Sequence, residues 1–375
     1  MGSFRRVSGR FAGVLLIVPA LVLDASAARS ALAQAWPPFV LVTGLLAIGL
    51  VADRDGLFDA AAARLQALPG SPLLLFLACL ALVAVVTALL NLDTSAVFLT
   101  PVLVKTARRR GISVEAFLYG AIFMANASSL FLPGSNLTNL LVLSREHVSG
   151  ASFFARMLPS ALGATLVTAA GLLLLYGRRL RIPASVGCMP QPTPARPRRS
   201  LGLCAGVAAA VLILVLHNAA PEVLAVGLLA LAWRARSDEL ALRESLPSLG
   251  LGSLLSLFAL AVALGTAARA SALPASLLHG AGTATSAVIA ALASVLVNNL
   301  PAAVVLSAPK HVHLMALLAG LDIGPNVAVT GSLAVLLWWR AARASDASPS
   351  ARAYSAQGLM LAPAALAVAV ALQHI

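Results

Sequence analysis

Two carboxylates stand where a lipid bilayer tolerates them least. Asp93 lies in Leu-Leu-Asn-Leu-Asp-Thr-Ser-Ala-Val-Phe-Leu-Thr-Pro at 89–101, and Asp322 in Gly-Leu-Asp-Ile-Gly-Pro-Asn at 320–326, each inside a long apolar run. A charge at mid-bilayer costs about 2.5–3.5 kcal/mol on insertion scales, so a residue of this kind is read as functional by default. No Lys or Arg lies at comparable depth. Neither acid therefore has a permanent cationic partner, and each can take up and release a proton. Neutral donors and acceptors cluster around them: Asn91, Thr94, Ser95, Ser135, Asn136, Asn139, Asn298, Asn299, Asn326, Thr330 and Ser332, with Gly331 between the last two. Titrating carboxyls among amides and hydroxyls suit a small, polar solute that is uncharged or weakly charged.

Other chemistry finds little support. His311 and His313 lack a third ligand and read as a solvated pair rather than a metal site. Cys79, Cys188 and Cys204 are scattered, with no pairing signature. There is no phosphate-binding glycine loop, no cofactor is expected, and nothing places a nucleophile beside a base. Two intramembrane acids also raise an aspartyl protease. That chemistry would want Tyr-Asp and Gly-x-Gly-Asp, where this chain has Leu92-Asp93 and Gly320-Leu321-Asp322.

The elements that must position these residues are membrane helices. The 375 residues are 60% hydrophobic and 10% charged, with mean hydropathy +0.94; a soluble domain carries about 25% charged residues. Apolar runs near bilayer length recur, which predicts an all-α polytopic membrane protein. Residues 1–176 form a first half: spans at about 11–23 and 38–51, an interfacial helix over 53–68, a hairpin over 72–104, a broken span over 115–143 and a span over 158–176. Residues 177–200 are a basic, Pro-rich linker. A second half, 201–375, has spans at about 201–216, 223–233 and 249–264, a hairpin over 283–309, a broken span over 314–339 and a last span over 356–372. The breaks are placed at Pro133-Gly134 and Gly324-Pro325, because Pro removes a backbone donor and Gly loosens a helix. The start of the chain has two readings. Arg5, Arg6 and Arg10 before an apolar run fit a secretory signal followed by Ala-Leu-Ala-Gln-Ala at 31–35, or a short first span that is kept; retention is the reading taken.

The halves resemble each other. Asn91-Leu runs to Pro101 and Asn299-Leu to Pro309 across the same spacing, and each is followed by a span broken near Gly134-Ser135 or Gly331-Ser332. Interrupted helices at matching positions in two halves point to a transporter binding site. If each Asn-Leu stretch tips a re-entrant hairpin, 21 of the 26 Lys and Arg face one side, leaving Arg29, Arg145, Arg156, Arg269 and Lys310 on the other. The positive-inside rule makes the rich side cytoplasmic, with the N-terminus there. It also accounts for the formal charge of +13 without nucleic acid. The first hairpin then opens to the cytoplasm and the second to the outside, so the repeats are inverted.

These residues carry a resemblance. Val297-Asn298-Asn299-Leu300-Pro301, Gly320-Leu321-Asp322-Ile323-Gly324-Pro325 and Thr330-Gly331-Ser332-Leu333-Ala334 are similar to the motifs of the ArsB-type arsenite efflux permeases, in the ion transporter superfamily. Asp93 with Leu99-Thr100-Pro101, and Ser135-Asn136-Leu137 with Asn139, match in the first half. The likeness runs from about residue 38 to the end. Three departures bear on substrate more than on fold: Leu92 stands where the family has Asn, Asn326 where it has Lys, and the first half is one span short. The resemblance implies two inverted repeats in an inner membrane and frequent pairing as homodimers. It also implies expulsion of arsenite or antimonite in exchange for protons, in some members with a soluble ATPase subunit. The expected roles are proton coupling at Asp93 and Asp322, and solute binding at the neutral residues named above. A sodium- or proton-coupled carboxylate carrier and a sodium/proton antiporter of the same superfamily stay open, although carboxylate carriers tend to have Ser-Asn-Thr tips that this chain lacks.

Overall fold

The computed structural model describes residue 22 and residues 24–67, 71–146, 148–180, 200–236, 251–308 and 313–374. Nearly all of the predicted 11–23 span, the linker beyond Leu180, Pro309 and His311 lie outside the described residues. Within them all regular structure is helical. The first helix, α1 (Ala25–Arg54), starts at Asp24, whose carboxylate accepts the N–H groups of Ser26 and Ala27 at 2.9 Å. Gly56, at φ +75°, turns the chain into α2 (Leu57–Ala67). Next comes α3 (Pro72–Leu89), with Pro72 in its first turn and Ser71 as cap. The fourth helix, α4, runs through Leu92–Thr94, a π-helical turn Ser95–Leu99 and Thr100–Arg109. Pro101 has no N–H to continue the α pattern, which accounts for that turn. Then follow α5 (Val114–Ser128), a 3₁₀ turn Pro133–Ser135, α6 (Leu137–Leu143) and α7 (Gly150–Leu180).

The rest comprises α8 (Leu201–Val215), α9 (Ala220–Ala235), α10 (Leu251–Arg269), α11 (Leu273–Leu278), α12 (Thr283–Val297) and α13 (Asn299–Leu306). It ends with α14 (Leu314–Ile323), a 3₁₀ turn Gly324–Val327, α15 (Leu333–Ala344) and α16 (Ala351–Ala371). A short helix, two interrupted helix pairs and a long helix thus occur in that order twice.

Helices outrun several predicted spans. The 38–51 span is part of Ala25–Arg54, 158–176 of Gly150–Leu180, and 356–372 starts at Ala351. The predicted limit at 38 stops at Pro37-Pro38 and others stop near charges, but the helical hydrogen bonding continues past both, and α1 holds the two prolines inside it. Arg178 and Arg179 also suit the negative end of α7. The interfacial helix is shorter than 53–68, because Asp53 and Arg54 complete α1.

Among the described residues four helices, α1, α3, α7 and α16, are long and apolar enough to cross a membrane. Of these α1 is the most enclosed, with 72% of its apolar window buried against 33% for α7 and α16. It lies against α8, α9 and α10. Gly44 and Gly227 allow backbone approach there, since a Cβ at Gly44 would stand 2.6 Å from the Val223 carbonyl oxygen. Exposed Leu166, Leu174, Val207, Val211 and Leu229 line α7, α8 and α9. An outside this apolar is matched to lipid, and the chain is a multi-pass membrane protein. The arms of the first hairpin, α3 and α4, meet at their turn, where the Thr87 hydroxyl donates to Ser95 Oγ at 2.8 Å. Their far ends lie near α2, and Gln66 Nε2 donates to Thr106 Oγ1 at 3.1 Å. The chain therefore returns to the level from which it entered.

Candidate functional site

Four helices restart within apolar stretches, those of α4, α6 and α15 buried and that of α13 at the surface beside exposed Val297 and Thr330, and each begins on a side-chain cap. Asn91 Oδ1 accepts Thr94 N–H at 2.6 Å to open α4, and Asn136 Oδ1 accepts Thr138 N–H at 3.2 Å to open α6. Asn298 Oδ1 accepts Leu300 N–H at 3.2 Å to open α13, and Ser332 Oγ accepts Val335 N–H at 3.2 Å to open α15. With no water in the hydrocarbon, a broken helix must satisfy its free N–H groups from within, and short Asn and Ser side chains do this best. Asn298 holds φ +82° and ψ +147°, away from the left-handed helical region that Asn tolerates, so the second tip carries backbone strain.

Contacts close these four starts into a circuit. Ser135 Oγ donates to the Ala88 carbonyl at 3.1 Å, tying the first break to the end of α3. The second hairpin, through α13, packs on α6. Asn298 Nδ2 donates to the Thr330 carbonyl at 2.9 Å, and Asn299 N–H to the Gly331 carbonyl at 2.7 Å. The first turn of α4 packs against α15 and completes the ring. Each hairpin is thus hydrogen-bonded to the broken helix of its own half and packs on that of the other.

The two acids differ sharply. Asp322, fully buried, accepts from Ser129 Oγ at 3.0 Å, Asn136 Nδ2 at 2.8 Å and Thr138 Oγ1 at 2.6 Å. It joins the last turn of α14 to the first break. Asn126 Nδ2 donates to Asn326 Oδ1 at 2.7 Å beside it, and Tyr354 holds the Pro325 carbonyl at 2.9 Å. Asp93 is half-buried and has no hydrogen-bond or ionic partner among the described residues. Its neighbours Asn91 Nδ2 and Thr94 Oγ1 are buried without a partner. Such atoms are costly unless something occupies them.

Other predicted residues take distinct places. Ser95 faces Thr87 within the hairpin, Asn139 Nδ2 donates to the Ser129 carbonyl at 2.9 Å, and Thr330 is exposed. Sequence reasoning passed over Ser129, Thr138, Asn126 and Tyr354. The available signal was polar spacing: Asn126 with Ser129, and Asn136 with Asn139, each stand three apart on apolar helices.

Interrupted helices with capped ends meeting inside a lipid-facing bundle define a membrane transporter. The chain belongs to the citrate transporter family (CitMHS), which matches residues 5–371. It is 29% identical over 164 residues to the arsenical pump membrane protein of Yersinia enterocolitica; the match takes in 43% of this chain and only 38% of that protein. In fold it is similar to the crystal structure of the Alcanivorax borkumensis YdaH transporter, described as having an unusual topology. The TM-score is 0.58 at 12% identity, over 94% of this chain and 88% of that one. Family and fold are those of a transporter, which sets the aspartyl protease aside.

Proposed function

We propose that the chain is a secondary transporter of the inner membrane that exports arsenite or antimonite in exchange for protons. One observation carries the reading: among the described residues Asp93 has no partner, Asn91 Nδ2 and Thr94 Oγ1, close to it in sequence, are also buried and unpartnered, and no Lys or Arg belongs to the circuit of helix starts. A neutral trihydroxide both donates and accepts hydrogen bonds, so it can satisfy Asn91 Nδ2, Thr94 Oγ1 and the caps at Asn298 and Ser332. Asp93 holds the coupling proton. Asp322, already bound by three donors, positions the two broken helices. A neutral solute gains nothing from the membrane potential, whereas an inward proton gains about 2.3 kcal/mol per 100 mV. The partial match to an arsenical pump protein supports the solute, and the lysine and arginine asymmetry supports a cytoplasmic N-terminus with inverted halves.

Everted vesicles test this. Arsenite uptake that depends on an imposed proton gradient is expected. Uptake unchanged when that gradient collapses would reject the coupling. The second reading is a carboxylate carrier, favoured by the family match and by the starts of α13 and α15, which have no acid in their first turns. Citrate movement with arsenite inert would replace the first reading by the second.

A further inference from the structure

Four elements come together at one rim of the molecule, away from the circuit of helix starts. Arg145, just beyond α6, donates from Nη1 to the carbonyls of Ser307, at 3.1 Å, and Ala308, where α13 ends. Arg269, the last residue of α10, donates to the Gly265 carbonyl at 2.7 Å and to Gln34 Oε1. Gln34, on α1, turns its Nε2 to the Leu141 carbonyl and to Ser307 Oγ, both at 2.9 Å. One chain of hydrogen bonds therefore joins the two guanidiniums through Gln34 and Ser307.

Among the described residues neither has a carboxylate partner; the ion pairs there are Arg179–Glu115 and Arg234–Asp55. Arg145 is exposed and Arg269 half-buried. Each guanidinium carries five N–H donors, more than these contacts use. The carbonyls they hold at the ends of α10 and α13 offset part of their charge, and the donors left over suit an anion, because the planar fork of Arg matches phosphate and carboxylate oxygens.

We propose that Arg145 and Arg269 together bind an oxyanion, a phosphate or carboxylate group, between the ends of α6, α10 and α13. The group is either a lipid headgroup or a free anion. The inference does not depend on which solute is transported.

The test uses the full chain, purified in neutral detergent. Inorganic phosphate is titrated at constant ionic strength while thermal unfolding is followed, and retention of phosphatidylglycerol against phosphatidylcholine is measured by native mass spectrometry. Arg145→Gln and Arg269→Gln are compared with Arg156→Gln, an exposed arginine on α7. For a free anion, phosphate stabilises the protein, and either variant weakens its apparent Kd by about tenfold. For a headgroup, phosphate is inert, phosphatidylglycerol is retained, and both variants release it. If neither ligand separates these variants from Arg156→Gln, the site does not exist. Arg145→Lys and Arg269→Lys keep the charge and guard against a Gln variant that fails to fold. Losing the fork should still weaken binding by about threefold or more, and wild-type binding in both Lys variants would overturn the proposal.

Discussion

Replacing Asp322 separates a positioning carboxyl from a merely buried one. In Asp322→Ala, Thr138 Oγ1 and Asn136 Nδ2 lose their acceptor, while Ser129 Oγ keeps its bond to the Asn126 carbonyl at 2.8 Å. Two short-changed buried donors at about 1–3 kcal/mol each, plus about 1 kcal/mol for the void, come to roughly 3–7 kcal/mol. Asp322→Asn is different. Its Oδ1 still accepts from Asn136 and Thr138, and its new Nδ2 donates to Ser129 Oγ, whose own hydrogen goes to Asn126. It loses charge assistance but also removes a buried charge, so the net change is within about 1–2 kcal/mol. Thermal unfolding of the purified protein reads both. The alanine variant should melt on the order of 10 °C lower, and the asparagine variant close to the native protein with its proton-driven transport retained. If Asp322→Ala melts with the native chain, the three bonds hold nothing together. If Asp322→Asn falls as far as alanine, charge rather than hydrogen-bond geometry is what the site needs.

The other expectations follow from the same contacts. Asp93→Asn should leave thermal stability unchanged and lower proton-driven arsenite uptake in everted vesicles by about tenfold or more, within the range general for a lost proton-transfer group; full uptake would exclude Asp93 as the proton carrier. Asn91→Ala removes the cap of α4 and should cost about 1 kcal/mol of stability, with Asn91→Ser restoring most of it. A Cβ at Gly358 would lie 1.8 Å from the Asn326 carbonyl oxygen, so Gly358→Ala must displace the second break. It should cost about 1–3 kcal/mol and much of the transport. Gly177→Ala, where a Cβ meets nothing within 4 Å, is the matched control for both readouts.

Much of this was legible in the sequence because membrane depth makes polar residues conspicuous. Asn91, Asn136, Asn298 and Ser332 stood out as polar groups in apolar runs, and all four are helix caps. Pro133-Gly134 and Gly324-Pro325 fall within or beside the observed breaks. Cross-chain pairing was not legible. Ser129 and Thr138 sit 193 and 184 residues from Asp322, and no local pattern announces a bond of that range. The two acids therefore looked alike in sequence, whereas packing gives one three donors and the other none. Helix ends were also hidden, because an Arg-rich terminus reads as a loop until its backbone bonds are seen.

If Asp93 is the proton carrier, as proposed above, the electrostatics of the circuit link the solute's charge to the direction of proton movement. Of the four starts, α6, α13 and α15 have no acid in their first turns and each carries up to about half a positive charge; Asp322 lies against that of α6, which leaves α13 and α15 without an acid of their own. Together they roughly balance an ionised Asp93, which sits in the first turn of α4. With Asp93 ionised the site is near neutral and accepts either a proton or a neutral solute. The two then compete, and competition for one site is what exchange requires. With Asp93 protonated the site is left with a net positive field, which favours an anion. An anion therefore binds alongside the proton and travels with it. Arsenite as the trihydroxide should move against protons, whereas a carboxylate should move with them.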